Sequence, residues 1–212
     1  DGDSVRASLF MKDSVRVLGE GSAGSVVLRD TTGEPGVIGV VMDSVGNSTI
    51  LENFVFDDYD TGALIVALAG ELIGDRFNRG RVGIHVRQAA RPYLIGNLVE
   101  DADSVGVLNE SSGGAYGANL IRGCDVGMVA DGIGTPIYDT NVMCRNRVGF
   151  WALRNATPLM GGNAMRSNSS LGVLLESGAV PDFTENDLYW NGDADLAVAN
   201  YQPHLATPLA FE

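Results

Sequence analysis

The sequence predicts an all-β solenoid, a parallel β-helix with about 22 residues per coil, and three observations support this fold class. Glycine, or aspartate once, recurs between apolar neighbours every 21 to 23 residues. Asparagine and proline recur at a similar spacing, and the composition is rich in glycine (28 residues) and poor in aromatics (7%). Such a period indicates units that bury their apolar faces only against their neighbours. The expected glycine column is Gly62, Gly83, Gly106, Gly127, Gly149 and Gly172, with Asp195 in the last unit.

Each unit consists of short strands joined by turns. Runs such as "NLVED", "VGVLNE" and "VGFWAL" alternate apolar and other residues and are separated by Gly, Asn or Pro. Leucine-rich repeats have a similar length, but they need a leucine consensus and a helical half-repeat that are not found in this sequence. The strands are therefore expected to pair in parallel from coil to coil.

Asparagine is expected to form a ladder at one corner of the coil. A turn asparagine tolerates the left-handed conformation, and its amide can bond the same residue one coil away, about 4.8 Å off. Proline five residues earlier starts a strand, because it presets φ and lacks a donor. The expected columns are Asn53, Asn97, Asn119, Asn141, Asn163 and Asn186, with Gly74 in the gap, and Pro92, Gly114, Pro136, Pro158 and Pro181.

Charge and cysteine content exclude several classes of function. A net charge of −13 and a pI near 4.4 repel nucleic acid and anionic membrane surfaces. No stretch reaches the roughly 18 apolar residues of a membrane span, so no membrane insertion is expected. Cys124 and Cys144 fall two positions apart on neighbouring strands, which is too far for a disulfide, so both are expected to be free.

The N-terminal residues "DGDSV" and "MKDSVRVLGEGSAGSVVL" resemble the opening coils of right-handed parallel β-helix proteins of the pectate-lyase-like superfamily. The resemblance covers residues 1–198 and implies a right-handed helix. Residues 199–212 break the period with two prolines and are expected to form a C-terminal capping tail over the last coil. The superfamily includes polysaccharide lyases, glycoside hydrolases, epimerases, phage tailspikes and surface proteins, and no catalytic motif of any of these is found. Function must therefore be sought on the outer faces of the coils.

The first candidate site follows the asparagine column, where two adjacent outward columns are expected. The family's lyases hold Ca²⁺ on carboxylates of neighbouring coils and use an arginine or lysine as base, which implies Ca²⁺ on Asp57, Asn78 and Asp101, and Arg122 or Arg166 as catalytic residues. Glu100, Arg145 and Tyr189 would then bind substrate. The alternative is a Glu100–Arg122 ion pair on a solvated acidic face. The expected columns are Phe56, Phe77, Glu100, Arg122, Cys144, Arg166 and Tyr189, followed by Asp57, Asn78, Asp101, Gly123, Arg145, Ser167 and Trp190.

The second candidate site follows the glycine column. Trp151 is expected to point outward, where it could stack on a sugar ring or be covered by a loop or a partner. Glu110 and Asp131 would lie roughly 5 Å apart on adjacent coils, the separation of a retaining glycosidase pair. Any two acids in one column share that spacing, however, so a purely structural role is the alternative.

These patterns predict a secreted or cell-surface protein that binds or processes an acidic polysaccharide, lyase-like and Ca²⁺-dependent. A non-catalytic structural or adhesion module is the first alternative, and a glycoside hydrolase using Glu110 and Asp131 is the second. The near-constant period from residue 83 onward leaves little room for the long loop that a lyase cleft requires, which favours the non-catalytic class.

Overall fold

The computed structural model describes residues 6–21 and 26–199, and these residues form 25 strands in three parallel sheets. Sheet A contains β1 Arg6–Phe10, β4 Val37–Asp43, β7 Thr61–Val66, β10 Val82–Arg87, β13 Val105–Glu110, β16 Val126–Asp131, β19 Val148–Leu153, β22 Leu171–Glu176 and β25 Ala194–Ala199. Sheet B contains β2 Arg16–Leu18, β5 Ile50–Glu52, β8 Glu71–Ile73, β11 Tyr93–Ile95, β14 Ala115–Gly117, β17 Ile137–Asp139, β20 Leu159–Gly161 and β23 Asp182–Thr184. Sheet C contains β3 Val26–Arg29, β6 Phe54–Asp57, β9 Arg76–Asn78, β12 Leu98–Glu100, β15 Leu120–Arg122, β18 Val142–Cys144, β21 Ala164–Arg166 and β24 Asp187–Tyr189.

The chain visits the three sheets in turn, so each coil contributes one strand to each sheet. Every strand except the first and last of each sheet pairs in parallel with the strands one coil before and one coil after it, as β13 does with β10 and β16. The predicted right-handed parallel β-helix is confirmed. Within the described ranges there is no helix that could cross a membrane.

The interior is built from side chains that alternate inward along each strand. Val99, Ile121, Met143 and Met165 form one inward column, as expected from the sequence. Aromatic rings stack between coils at two places, Phe56 on Phe77 with centroids 5.3 Å apart and Tyr116 on Tyr138 at 4.8 Å. Close packing of this kind makes each coil depend on its neighbours.

The predicted glycine column is present, and the structure supplies a steric reason for it. A Cβ added to Gly127 would lie 2.5 Å from the carbonyl oxygen of Gly149 and 2.8 Å from Nδ2 of Asn146. A Cβ added to Gly106 or to Gly149 would lie 2.6 Å from the corresponding carbonyl oxygen of the next coil. Glycine is required here because the backbones of successive coils approach too closely for any side chain.

Replacing Gly127 with alanine is therefore expected to destabilise the protein by about 1 to 3 kcal/mol, the usual cost of overpacking. Gly117 is a matched control, because its added Cβ would meet only the carbonyl oxygen of Asp139, at 3.8 Å. Denaturant unfolding of both variants measures the difference. Equal losses at the two positions would show that the carbonyl contact is not the reason for the column.

The asparagine ladder is confirmed from Asn97 to Asn186, but its N-terminal end differs from the prediction. In each step a backbone N–H and a side-chain amide donate to Oδ1 of the next asparagine, as Asn119 does to Asn141 at 3.0 and 2.9 Å. Asp75, not Gly74, begins this column, since its N–H donates to Asn97 Oδ1. Asn53 is not a member either, because Phe54 is the residue that bonds Asp75.

The left-handed residues lie one position before the ladder, which corrects the expected role of asparagine in the turn. That preceding column has φ values between 50° and 66°, whether the residue is glycine or not. The asparagines are therefore selected for their amides and not for backbone conformation. The column is Asn53, Gly74, Gly96, Ala118, Thr140, Gly162 and Glu185.

A second amide ladder, which the sequence prediction missed, lies at the corner between sheets C and A. The N–H of Cys124 donates to Asn146 Oδ1, Asn146 bonds Asn168, and Asn168 bonds Asn191. The ladder ends where Asn191 donates to Asp195 Oδ1. The 22- and 23-residue spacing of Asn146, Asn168 and Asn191 was the available signal. Residues 200–212, the greater part of the predicted capping tail, lie outside the described residues.

Candidate functional site

The outer face of sheet C carries most of the predicted site residues, with one correction in register. The outward column observed is Arg29, Asp57, Asn78, Glu100, Arg122, Cys144, Arg166 and Tyr189. Phe56 and Phe77, which were expected in this column, are buried in the core instead. The prediction aligned Asn53 with the ladder asparagines, and that one-residue shift exchanges the inner and outer faces of a strand.

Asp57 and Asn78 are neighbours on consecutive coils, as predicted, but the Asp57 carboxylate is already fully engaged. Its Oδ1 accepts hydrogen bonds from Asn78 Nδ2 at 2.6 Å and Arg79 Nη2 at 2.8 Å. Its Oδ2 accepts one from Arg29 Nε at 2.7 Å. Burial raises the pKa of Asp57, but these arginine and asparagine donors outweigh it and hold the pKa below its usual range.

Glu100 is buried between two arginines on the neighbouring coils. Its Oε2 accepts hydrogen bonds from Arg122 Nε at 2.9 Å and Arg122 Nη2 at 2.6 Å, and its Oε1 is paired with Arg76. Burial raises the pKa of Glu100, and the hydrogen bonds and charges of Arg122 and Arg76 together lower it by more. The alternative of a Glu100–Arg122 ion pair is confirmed. Its solvated acidic face holds for Asp101, which is exposed, but not for Asp57 and Glu100, which are buried beneath guanidinium groups.

Asp101, the third residue expected to bind Ca²⁺, is not in the column of Asp57 and Asn78. Glu100 is the strand partner of Asn78, and Asp101 follows in the turn with a φ of 58°. Over residues 6–21 and 26–199 no group of three His, Cys, Asp or Glu side chains could hold a metal ion. A cation at Asp57 would have to displace arginine donors, so these residues do not fit a Ca²⁺ site.

The C-terminal end of the same face is different, because its arginines are not neutralised. The guanidinium groups of Arg166, in β21, and of Arg145, in the turn after β18, have no ion pair or hydrogen bond with any of the described residues. One coil further, Tyr189 packs edge-on against Trp190 with ring centroids 4.9 Å apart, and Trp190 is 79% exposed. We call Arg145, Arg166, Tyr189 and Trp190 the arginine–aromatic patch.

The second predicted site, on the outer face of sheet A, has its acids where they were expected. Glu110 and Asp131 are direct strand partners in β13 and β16. Glu110 Oε2 lies 3.0 Å from His85 Nε2, and Asp131 is paired with Arg154. A retaining glycosidase needs one carboxyl group as acid and the other as a free nucleophile. The Arg154 guanidinium is paired with the Asp131 carboxylate, so Asp131 is not free to act as the nucleophile. The arrangement therefore does not favour glycoside hydrolysis.

Trp151 lies on the outer face of β19, as predicted, in a column with Val129 and Leu174. Trp151 is three strands away from His85, which is partly buried. Burial lowers the pKa of His85, and the hydrogen bond with Glu110 only partly offsets this effect. Trp151 is only partly exposed and belongs to an apolar cluster on this face. It therefore does not present an open stacking platform of the kind that Trp190 offers.

Both cysteines are free and buried, which confirms the prediction. Cys124 lies in the core, where burial raises the pKa of its thiol to about 11. Cys144 lies on sheet C between Arg122 and Arg166. Among the described residues, His85 on sheet A lies apart from both cysteines, and no group of three His, Cys, Asp or Glu side chains could hold a metal ion.

Similarity to known proteins extends over most of the chain. Among solved structures, the Azotobacter vinelandii mannuronan C-5 epimerase AlgE4 A-module matches over 92% of this chain and 84% of that chain, with 12% sequence identity and a TM-score of 0.45. No match was found among curated proteins. Residues 22–198 match the family model described as "Periplasmic copper-binding protein (NosD)", which spans nearly all of the β-helix. The chain therefore belongs to the NosD family of right-handed parallel β-helix proteins.

Proposed function

We propose that the protein binds an anionic polysaccharide at the arginine–aromatic patch, without turning it over. One observation carries the proposal: Arg145 and Arg166 have no partner among the described residues, although the chain carries a net charge of −13. On the same sheet Arg29, Arg76, Arg79 and Arg122 are all paired with Asp57 or Glu100. Unpaired guanidinium groups in so acidic a protein are suited to an external carboxylate or sulfate.

The aromatic residues favour a ligand made of sugar rings. Trp190 exposes most of its side chain and is braced by Tyr189 behind it, so a rigid flat surface faces solvent. Arg166 and Tyr189 are direct strand partners, which places charge and ring about 4.8 Å apart along the helix axis. A chain of acidic sugars would present a charged group and a ring face at comparable intervals.

The two carboxylates in the outward column of sheet C, Asp57 and Glu100, do not oppose such a ligand. Asp57 and Glu100 are each covered by two arginines, so this part of sheet C presents guanidinium groups and not carboxylates to solvent. The local field is therefore less negative than the net charge implies. A long anionic ligand could extend from the patch toward Arg122 without meeting an exposed carboxylate in that column.

Binding without turnover is favoured over a lyase reaction. The hydrogen bonds and charge of Glu100 raise the pKa of Arg122 above its already high ordinary value, which makes it a poorer base. The residues expected to hold Ca²⁺ do not fit that ion, because arginine donors occupy both oxygens of the Asp57 carboxylate. The family description names copper, but within residues 6–21 and 26–199 His85, Cys124 and Cys144 do not form a group that fits a copper site, so no step is assigned to a metal.

Binding to alginate, pectate and heparin tests the proposal, with neutral dextran as the negative control and unsaturated-product absorbance recorded throughout. Replacing Arg145 and Arg166 with alanine together is expected to weaken binding about tenfold or more, since each charge-assisted hydrogen bond contributes about 1.5 to 3 kcal/mol. Trp190→Ala is expected to weaken binding to every anionic glycan tested.

Arg154→Ala is the matched control, because it removes one exposed arginine from the other face, where it pairs with Asp131. It is expected to leave binding unchanged. Equal weakening by Arg154→Ala, or no binding of any anionic glycan by the unmodified chain, would contradict the proposal. Release of unsaturated product would show that the protein is a lyase and not only a binding module.

A structural or adhesion module is the second candidate, favoured by the regularity of the coil. From residue 26 to 199 the longest connection between strands is residues 30–36, so no long loop builds a cleft beside any sheet. The family description places its members in the periplasm, and we propose an extracytoplasmic location for this chain as well. Complete indifference to glycans would leave this module as the better assignment.

A further inference from the structure

The outer face of sheet B carries large apolar side chains that are open to solvent. In each of its strands the middle residue points into the core, as Tyr138 does in β17, so the first and third residues point outward. The first residues of β11, β14, β17 and β20 form a column without charge, and its three large members are between 41% and 46% exposed. We call this the exposed column; it consists of Tyr93, Ala115, Ile137 and Leu159. Exposed apolar side chains grouped in this way indicate an interaction site.

Two glycines in the adjacent outward column are not required by the fold. Neither Gly117 nor Gly161 has a positive φ. A Cβ added to Gly161 would meet no atom beyond its chain neighbours closer than Oδ1 of Asp139, at 3.6 Å, and one added to Gly117 would meet only a carbonyl oxygen at 3.8 Å. Glycine weakens a strand and often marks a place where a ligand or another backbone approaches closely. The absence of side chains at these two positions therefore points to an occupant outside the sheet.

Asp139 lies between these two glycines, since it is the strand partner of both. Its side chain is exposed and has no ion pair or hydrogen bond with any of the described residues. Carboxylates on the outer face of sheet C are different, because Asp57 and Glu100 are each paired with arginines. We call Gly117, Asp139 and Gly161 the sheet B recess. A carboxylate that is not neutralised, with open space on both sides, is suited to an external cationic group.

We propose that the outer face of sheet B binds a basic polypeptide segment of another protein. A lysine or arginine side chain of that segment pairs with Asp139 in the sheet B recess, and its apolar side chains pack on the exposed column. Charge complementarity identifies the partner, because the charged residues that face outward from β11 to β23 are two acids, Asp139 and Asp182. The net charge of −13 also attracts a basic partner from a distance.

A polypeptide fits this face better than a small cation does. The exposed column extends over three coil steps, or about 14 Å, and glycine lets a second backbone approach the sheet. A second copy of the chain is the competing occupant, and a net charge of −13 on each copy opposes it. The proposal does not depend on polysaccharide binding, because the arginine–aromatic patch lies on sheet C and the turns that follow it.

Fluorescence anisotropy of a labelled six-residue peptide that alternates leucine and lysine tests the proposal. Such a peptide reaches about 20 Å when extended, which is enough to cover the exposed column. A peptide with serine in place of leucine has the same charge and is expected to bind about tenfold more weakly, because it lacks the apolar contacts. A peptide with glutamate in place of lysine is expected not to bind.

Two variants of the full chain locate the site. Asp139→Asn is expected to weaken binding of the leucine–lysine peptide about threefold, as for an exposed ion pair, whereas the control Asp103→Asn leaves it unchanged. Gly117→Val combined with Gly161→Val fills the sheet B recess and is expected to weaken binding about tenfold or more. Valine favours a strand, so this variant is expected to unfold at an equal or higher urea concentration, which separates lost binding from lost folding.

Three results would overturn the proposal. Equal affinity for the leucine and serine peptides would show that only the net charge attracts them. Equal effects of Asp139→Asn and Asp103→Asn would remove Asp139 from the site. Dimers in sedimentation that are lost in the double valine variant would assign the face to a second copy of the chain instead.

Discussion

Replacing Asp75 with asparagine is expected to stabilise the protein by about 3 to 5 kcal/mol near pH 7, the largest gain that the structure predicts from one substitution. Asp75 occupies an asparagine position at the N-terminal end of the first amide ladder. Its Oδ1 accepts the N–H of Phe54, whereas its Oδ2 is buried and has no hydrogen-bond partner. That oxygen is where an asparagine would place a donor.

The neighbouring ladder members show what an amide at position 75 would gain. Asn97 donates from Nδ2 to the carbonyl of Leu72 at 2.9 Å and to Oδ1 of Asn119 at 3.0 Å. By the register of the sheets, the equivalent acceptors for residue 75 are the carbonyl of Leu51 and Oδ1 of Asn97. A carboxylate facing two acceptors is unfavourable, so Asp75 is expected to hold a proton in the folded state.

The pH dependence follows from that proton. Burial raises the pKa of Asp75 to about 8, with a smaller contribution from the charge of Glu52 and an opposing one from backbone donors at Phe54 and Ile73. Between about pH 4 and about pH 8 the folded state holds a proton that the unfolded state has lost, so stability falls as pH rises, by about 1.4 kcal/mol per unit. The asparagine variant lacks this loss, and its advantage should grow across the same range and then level off.

Urea unfolding of the unmodified chain and of Asp75→Asn, at about pH 5 and about pH 8, measures the effect. Asp103→Asn serves as the control, because it makes the same chemical change at an exposed position of the same part of the helix. A constant difference between the two proteins at both pH values would mean that Asp75 is not protonated in the fold. Destabilisation by asparagine would contradict the ladder assignment itself.

Replacing Asn141 with alanine is expected to destabilise the protein by about 3 to 6 kcal/mol, because it orphans several fully buried groups at about 1 to 3 kcal/mol each. Asn141 is wholly inaccessible and lies in the middle of the ladder. Its Nδ2 donates to the carbonyl of Tyr116 at 2.7 Å, and its Oδ1 accepts the N–H of Asn119 at 3.0 Å. Both of these backbone groups would lose their partners in the variant.

Asn186→Ala provides the comparison, since Asn186 makes equivalent bonds at the C-terminal end of the ladder but is only partly buried. Water can reach the polar groups that lose Asn186 as a partner, so a loss of about 1 kcal/mol in the free energy of unfolding is expected. Chemical unfolding of both variants measures the two losses in stability. Similar losses at the two positions would argue that the amides act one by one and not as a continuous buried column.

Much of the fold was predictable, because a solenoid repeats each structural requirement at a fixed interval. The contact between Gly127 and the carbonyl of Gly149 recurs in every coil, so it is written into the sequence as a period. The same argument holds for Asn119, Asn141 and Asn163. The second ladder, with Asn146 and Asn168, has the same spacing in the sequence as the first, so it was equally predictable.

The candidate site was predicted less well, and the failures have specific causes. The column of Glu100, Arg122, Cys144, Arg166 and Tyr189 was correct because the period is regular there. Around Asp57 the alignment was shifted by one residue, because the prediction placed Asn53 and Gly74 in the ladder column, whereas hydrogen bonding places Phe54 and Asp75 there. A shift of one residue is enough to place Phe56 on the outer face and to move Asp57 into the adjacent column.

The sequence by itself determined the coil length, the parallel pairing and the identity of most inward and outward columns, because these depend on a periodicity that each unit carries. Only the tertiary structure decided which charges are available. Arg122 and Arg166 are indistinguishable in the sequence pattern, yet Glu100 neutralises the first, while the second has no partner within residues 6–21 and 26–199. Such pairing depends on atoms a few ångströms apart on neighbouring coils, and Coulomb interactions and desolvation change sharply over that distance.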